Sequence, residues 1–267
     1  MIAVVLGSIV GLILGLTGAG GSIFAVPLLV LGLGQSMTQA TPIALLAVCG
    51  ASALGAVQAL RAGLARYRTA LVIGAAGSLV SPLGIDVAAR ASHETLVEVF
   101  AAVMLFVAAR LFLQTRRGTQ LSAAAPRQRM CRLDPTTGRI RWTFPCTMVL
   151  SLAGAATGVL SGALGVGAGF VIVPTLHAAT DLPMAANIAT SLMAITIISA
   201  SAVAAFLLKG GELGYALAVP FLAGALIGML IGRAMAARIH GPRLQQLFAV
   251  CMVIAAAAMV YRVRFAP

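Results

Sequence analysis

Gly18, Gly20, Gly21 and Ser22 interrupt one long apolar run, and Gly165, Gly167 and Gly169 interrupt another. The chemistry such clusters offer belongs to the main chain. Glycine weakens a helix, so backbone N–H groups are released from i→i−4 pairing. Those that open the next helix carry a positive partial charge suited to an anion. Pro27 and Pro174 sit inside the short apolar pieces that follow and mark helix breaks. Gln39 and Thr41 open a later apolar run, and Asn187, Thr190 and Ser191 open its counterpart. Uncharged hydroxyls and amides can hold an oxyanion without burying a charge. The same residue types also serve helix packing and capping. Gly11 with Gly15, and Gly224 with Gly228 and Gly232, fit close helix packing best. His177, a residue type suited to proton transfer, is a candidate for carrying a coupling proton, with a solvated or capping histidine as the other reading.

Other chemistries find less support. Neither glycine cluster is followed by Gly-Lys-Ser/Thr, so neither is a phosphate loop. The flanking segments are too apolar for the strand–turn–helix of a dinucleotide site. Ser161 in Gly158–Gly162, with His177 downstream, allows a serine–histidine dyad for intramembrane hydrolysis to be drawn. The residues 147 positions earlier are Leu14 and Val30, and no oxyanion donors beyond the glycines accompany the pair. The chain therefore reads as a non-enzyme without catalytic residues. Cys49, Cys131, Cys146 and Cys251 are scattered, with no close pair at metal-ligand spacing, which supports neither zinc nor a disulfide. No metal site and no cofactor are expected.

The elements that must position these residues are membrane helices. Of 267 residues, 61% are hydrophobic and 9% charged, and the mean hydropathy is +1.06. Soluble domains carry about 25% charged residues. Here, runs of about 20 residues without charge match the length a helix needs to cross the hydrocarbon core. The net charge of +12 is read as cytoplasmic loop signalling. No aromatic stacking pattern accompanies it, so nucleic acid is not an expected partner. Arg110, Arg116, Arg117, Arg127, Arg129, Arg132, Arg139 and Arg141, with Asp134 as the acid among them, mark a basic linker placed at 114–142. It faces the cytoplasm and anionic headgroups. The N-terminal apolar run lacks a basic leader and is expected to be kept as structure.

Apolar runs fall at 2–17, 22–33, 38–60, 69–90 and 95–113, then at 143–164, 169–179, 185–208, 213–236 and 244–261. The second series repeats the first. Gly11, Gly15, Gly18, Gly20 and Pro27 match Gly158, Gly162, Gly165, Gly167 and Pro174 at one offset. With one inserted residue, Gly63, Tyr67, Gly84 and Arg90 match Gly211, Tyr215, Gly232 and Arg238. This predicts an all-α polytopic membrane protein with homologous halves at 1–113 and 143–267, each holding a short broken helix, as in many secondary transporters. The short pieces at 22–33 and 169–179 would span at most about 18 Å as helix. On length they are re-entrant, giving about eight transmembrane helices (4+4). The alternative is ten crossings with inverted halves. Counting basic residues does not separate the two.

The stretches GLTGAGGSIFAVP (Gly15–Pro27) and GALGVGAGFVIVP (Gly162–Pro174), with Ala189-Thr190-Ser191-Leu192 and the paired loops at Gly63 and Gly211, resemble the sulfite exporter TauE/SafE family of membrane permeases. The resemblance covers nearly the whole chain. It implies a secondary transporter for export or uptake, with export the favoured direction, of small sulfur-containing or carboxylate anions such as sulfite across the cytoplasmic (inner) membrane. H+ or Na+ would serve as coupling ion, and the two repeats would alternate access. The partners it implies are a small anion and the lipid bilayer. Ala168 stands where a glycine is expected in the second copy, and Pro42-Ile43-Ala44 stands where the other half has Thr190-Ser191. Both departures shift the expected ligands toward Asn187, Thr190 and Ser191. The expected substrate-binding set is Gly18, Gly20, Gly21, Ser22, Thr41, Gly165, Gly167, Gly169, Asn187, Thr190 and Ser191. An anion channel using the same loops is the main alternative.

Overall fold

The computed structural model describes residues 1–18, 20–117, 131, 142–167, 169–180, 182–236 and 242–265. Most of the basic linker, including Arg127, Arg129, Arg132, Asp134, Arg139 and Arg141, lies outside the described residues, as do Ala168, Asp181 and Arg238. The apolar runs form helices at close to their expected limits: α1 Ile2–Thr17, α2 Ala25–Leu33, α3 Met37–Arg61, α4 Tyr67–Arg90 and α5 His93–Arg117. The second series is α6 Phe144–Leu164, α7 Gly169–Ala179, α8 Met184–Leu208, α9 Tyr215–Ala236 and α10 Pro242–Phe265. A 3-10 turn, Gly20–Phe24, links α1 to α2. Among the described residues, six helices are long and apolar enough to cross a membrane: α3, α4, α5 to Leu113, α6, α8, and α9 to Met235. The expected eight are not reached by that measure, because α1, Gly20–Leu33, α7 and Leu247–Arg262 are shorter apolar helices.

Small residues decide how the helices pack. A Cβ added to Gly7, Gly11 or Gly15 of α1 would overlap the carbonyls of Phe221, Ala225 and Met229 in turn. From the other side, a Cβ on Gly224, Gly228 or Gly232 of α9 would overlap the carbonyls of Val4, Ser8 and Leu12. The same seam recurs between α6 and α4, where Gly154, Gly158 and Gly162 meet the carbonyls of Ile73, Gly77 and Ser81. In a bilayer there is no hydrophobic drive between helices, so this backbone-to-backbone approach supplies the attraction. The packing reading of Gly11, Gly15, Gly224, Gly228 and Gly232 is thus what the structure contains.

The order of these contacts fixes helix directions. Both numbers rise together along α1 and α9, so the two are parallel, and so are α6 and α4. Gly50 meets Leu222 while Gly55 meets Met229 and Arg233, which makes α3 parallel to α9. Ser52 meets Thr196 while Gly55 meets Leu192, so α3 and α8 are antiparallel. It follows that α1 and α3 run the same way and that α2 returns between them. A 4+4 arrangement with a same-side re-entrant piece would set α1 against α3. Length alone could not reveal the return, because α1 and α2 are both short.

One expectation about the cysteines is overturned. Cys131 and Cys146 form a disulfide with a Cα–Cα distance of 5.2 Å and a sequence separation of 15. The backbone N–H of Cys131 donates to the Ala179 carbonyl at 3.0 Å, tying this part of the linker to the end of α7. Spacing concealed the pair because a main-chain bridge, not a compact motif, brings the two together.

Candidate functional site

Gly18 ends α1 in the left-handed region (φ 74°), its N–H donating to the Leu14 carbonyl at 2.7 Å. Gly165 ends α6 in the same way (φ 69°), its N–H donating to the Ser161 carbonyl at 2.9 Å. Any L side chain would be strained at either position. The Thr17 hydroxyl then organises the first break. It donates to the Ile13 carbonyl at 2.8 Å and accepts the N–H groups of Gly20 and Gly21, each at 3.1 Å. Two of the main-chain donors expected to face an anion are therefore held by Thr17. Sequence reasoning missed this residue, although a threonine immediately before a glycine cluster is a capping signal.

Each broken segment docks against the opening turns of a long helix from the other half of the sequence. Gly18 lies against the Ile188 side chain, and Gly165 lies against Thr41. The segments also meet each other: a Cβ on Gly167 would fall 3.4 Å from the Cβ of Ser22, between Val48 and Ile195. Ser22 is fully buried, and Gly169 is buried where it opens α7. Gly21 packs on the backbone of α1 at Leu14, whereas a Cβ on Gly20 would meet nothing nearer than the Thr17 side chain at 3.4 Å. Among the first-segment glycines, Gly20 is thus the one with room beside it. Pro27 is buried in the first turn of α2, where its missing N–H costs nothing. Pro174 lies inside α7.

The expected side-chain ligands are brought to the same region, but their polar atoms are engaged locally. The Thr41 hydroxyl donates to the Met37 carbonyl at 2.8 Å. Asn187 donates through Nδ2 to the Leu182 carbonyl at 3.2 Å and accepts from the Thr180 hydroxyl at 3.3 Å. Thr190 donates to the Ala186 carbonyl at 2.7 Å and accepts the Arg66 N–H at 3.1 Å, bracing α8 against the basic corner. Ser191 donates to the Ile188 carbonyl at 2.9 Å. His177 is exposed in the last turn of α7, about 12 Å along the helix from Gly169. Ser161, by contrast, is buried, and its hydroxyl has no partner among the described residues. The structure records no dyad between them.

A polar cluster that the sequence reading passed over lies where α3 crosses α8. The Cys49 thiol donates to the Thr196 carbonyl at 3.8 Å. The Thr196 hydroxyl lies 3.0 Å from the Ser52 hydroxyl and 2.8 Å from the Leu192 carbonyl. The Ser52 hydroxyl in turn points at the Cys49 carbonyl at 3.1 Å. Cys49 and Thr196 are separated by 147 residues, the interval between the glycine clusters, so the offset itself could have flagged them.

Further polar ties join the two series of helices at opposite ends. Arg233 donates through NH1 to the Gly55 carbonyl at 2.6 Å. Toward the other end, Arg262 donates to the Val30 carbonyl at 2.6 Å, and Lys209 pairs with Asp86 while donating to the Pro82 carbonyl at 3.2 Å. No group of three or more histidine, cysteine or acidic residues suited to a metal occurs among the described residues.

The family model described as sulfite exporter TauE/SafE matches residues 3–259. Two curated proteins of Xylella fastidiosa, each named "Probable membrane transporter protein", are similar over 96% of this chain and 93% of their own length. The protein of strain Temecula1 is 27% identical and that of strain 9a5c 26%. No solved structure is a significant match.

Proposed function

Because the chain belongs to the sulfite exporter TauE/SafE family, we propose that it exports a small sulfur-containing or carboxylate anion, sulfite among the candidates, by alternating access. The coarser part needs no proposal: the protein is a membrane transporter, not an enzyme, and it contacts lipid and a small substrate. The observation that carries the finer reading is the meeting of the two broken segments, Gly167 against Ser22, between Val48 and Ile195. Interrupted helices that converge inside a bundle are how many secondary transporters hold substrate. Main-chain groups freed from helix pairing are tolerated there only where protein or a cavity meets them.

On this reading the halves, 1–113 and 143–267 with the linker 114–142 between them, are inverted repeats making ten passages. The parallel order of α1 with α9 and of α6 with α4 supports this. Such a fold places the corner of Arg61, Arg66 and Arg68 on the linker face and Lys209 on the opposite face. The arginine-rich face then lies in the cytoplasm and the protein in the inner membrane. Substrate would contact Gly20, Ser22, Gly167 and Gly169. Asn187, Thr190, Ser191 and Thr41 would hold the segments in place more than they touch the anion. Rocking of α1 and α9 against α4 and α6 would open each face in turn, with H+ or Na+ as the driving ion.

Counterflow in proteoliposomes tests this. Vesicles loaded with unlabelled sulfite should accumulate labelled sulfite transiently when the protein is present, and a channel would give no such overshoot. Absence of any anion-dependent exchange, with the protein shown to be folded, would defeat the proposal.

A further inference from the structure

The molecule treats its two broken segments differently. Ser81, Ser161 and Ser199 are all buried, and none of their hydroxyls has a hydrogen-bond partner among the described residues. The hydroxyl of Ser78, part-buried, is in the same condition. All four stand on α4, α6 and α8. Their neighbours in sequence touch: Gly162 lies on the Ser81 carbonyl, Gly158 lies on Gly77, and Gly77 lies against Ile198. This is the side where α6 breaks at Gly165 and α7 opens at Gly169. Around the first break, the offset of 147 or 148 residues brings Leu14, Leu226 and Met229 to the places of Ser161, Ser78 and Ser81. The counterpart of Ser199 is Ser52, which is bonded to Thr196 and Cys49.

An unpaired buried hydroxyl destabilises a fold, and a membrane interior offers no water to relieve it. One such group can be a packing accident. Several on one side, where the counterpart positions are apolar or paired, indicate donors meant for something that is not part of the chain. We infer that Ser81, Ser161 and Ser199, with the N-terminal turn of α7, form a one-sided hydroxyl subsite for a singly charged oxyanion. The inference rests on the anion reading above and adds where the anion sits and what charge it carries.

The charge follows from the donors. Hydroxyls and main-chain N–H groups are neutral. Of the described cations, Lys209 is paired with Asp86 about 15 Å farther along α8, and Arg233 is bonded to Gly55 at the opposite end. Arg66, whose buried Nε has no partner among the described residues, is anchored by its main chain at Thr190, about 14 Å from Ser199 toward the start of α8. Born desolvation grows as charge squared, so a divalent anion loses about four times as much solvation on entry. Neutral donors cannot offset that difference.

The test is binding to the purified full-length protein, with methanesulfonate and sulfate as singly and doubly charged probes. Wild type should bind methanesulfonate at least about tenfold more tightly than sulfate. Ser161→Ala and Ser199→Ala should each weaken methanesulfonate about tenfold, while the ligand-free melting temperature stays level or rises. Ser161→Cys, near in shape but a weak donor, should fall between. Ser52→Ala, which breaks a satisfied bond, should do the reverse: a lower ligand-free melt with affinity kept. If Ser161→Ala and Ser199→Ala both bind methanesulfonate like wild type while Gly20→Leu abolishes binding, the loops hold the anion and the hydroxyl subsite is rejected. Equal affinity for sulfate would overturn the charge assignment. Wild type that binds neither probe would instead remove the anion reading itself.

Discussion

Cys49 and Thr196 face each other across the crossing of α3 and α8, the thiol 3.8 Å from the Thr196 carbonyl, and lie 147 residues apart. If the halves are inverted repeats, as proposed, a contact between two positions separated by the repeat offset is its own partner when they are exchanged and marks the axis relating them. The other contacts are arranged around it in reciprocal pairs. Gly18 meets Ile188, and Gly165 meets Thr41, with 41 and 188 separated by the same 147. The two breaks are thus buttressed each by the opposite half, and neither half holds its own break alone.

The glycine seams should be intolerant of bulk. Gly11→Leu or Gly158→Leu must push α1 off α9 or α6 off α4, costing about 1–3 kcal/mol or more. Gly214→Ala, where an added Cβ meets nothing within 4 Å, should be close to neutral. Melting temperatures in detergent would distinguish the seams from the open position.

The Thr17 hydroxyl holds two main-chain donors, so Thr17→Val should cost about 1–3 kcal/mol by leaving both N–H groups unpaired. Thr17→Ser keeps the oxygen and should recover most of the loss. A melt of the two variants beside wild type checks this, and equal values would show that the bonds contribute nothing.

The helix directions can be tested in intact cells. With Cys49 and Cys251 replaced by serine, Ala62→Cys and Glu212→Cys each place one reactive thiol in an exposed corner. Inverted halves put these corners on opposite faces, so a membrane-impermeant thiol reagent should label one and spare the other. Labelling of both from the same side would restore the 4+4 arrangement.

Much of this architecture was legible in the residues. The apolar runs gave α3 and α8 to within a residue or two, because uninterrupted hydrophobicity over that length has few other uses. Gly18 and Gly165 marked the breaks, since a left-handed helix end demands glycine. Direction was another matter. Fourteen basic residues fall on one face under either topology, so charge carried no information, and the answer lay in which glycine meets which carbonyl. Thr190 and Asn187 were found as polar residues beside the break, but their bonds to Arg66 and Leu182 depend on distant chain segments. Ser81 and Ser199 looked like ordinary helix serines, because the lack of a partner is invisible without neighbours.

The Cys131–Cys146 disulfide closes a loop of 15 residues, worth about 3 kcal/mol by loop-closure entropy. In protein purified without reductant, Cys146→Ser should lower stability by roughly that amount. A reductant should depress the melt of wild type and leave the variant unmoved.

The most direct measurement is anion-dependent thermal stabilisation of the purified protein, screening sulfite, thiosulfate, sulfoacetate and sulfate. A ligand that binds only the folded state raises stability by RT ln(1 + [L]/Kd). The account predicts that at least one sulfur oxyanion raises the melt of wild type, and that Gly20→Leu, still folded, loses the shift. Wild type unmoved by every anion at millimolar concentration, or Gly20→Leu stabilised as strongly as wild type, would contradict a substrate site at the meeting of the two broken helices.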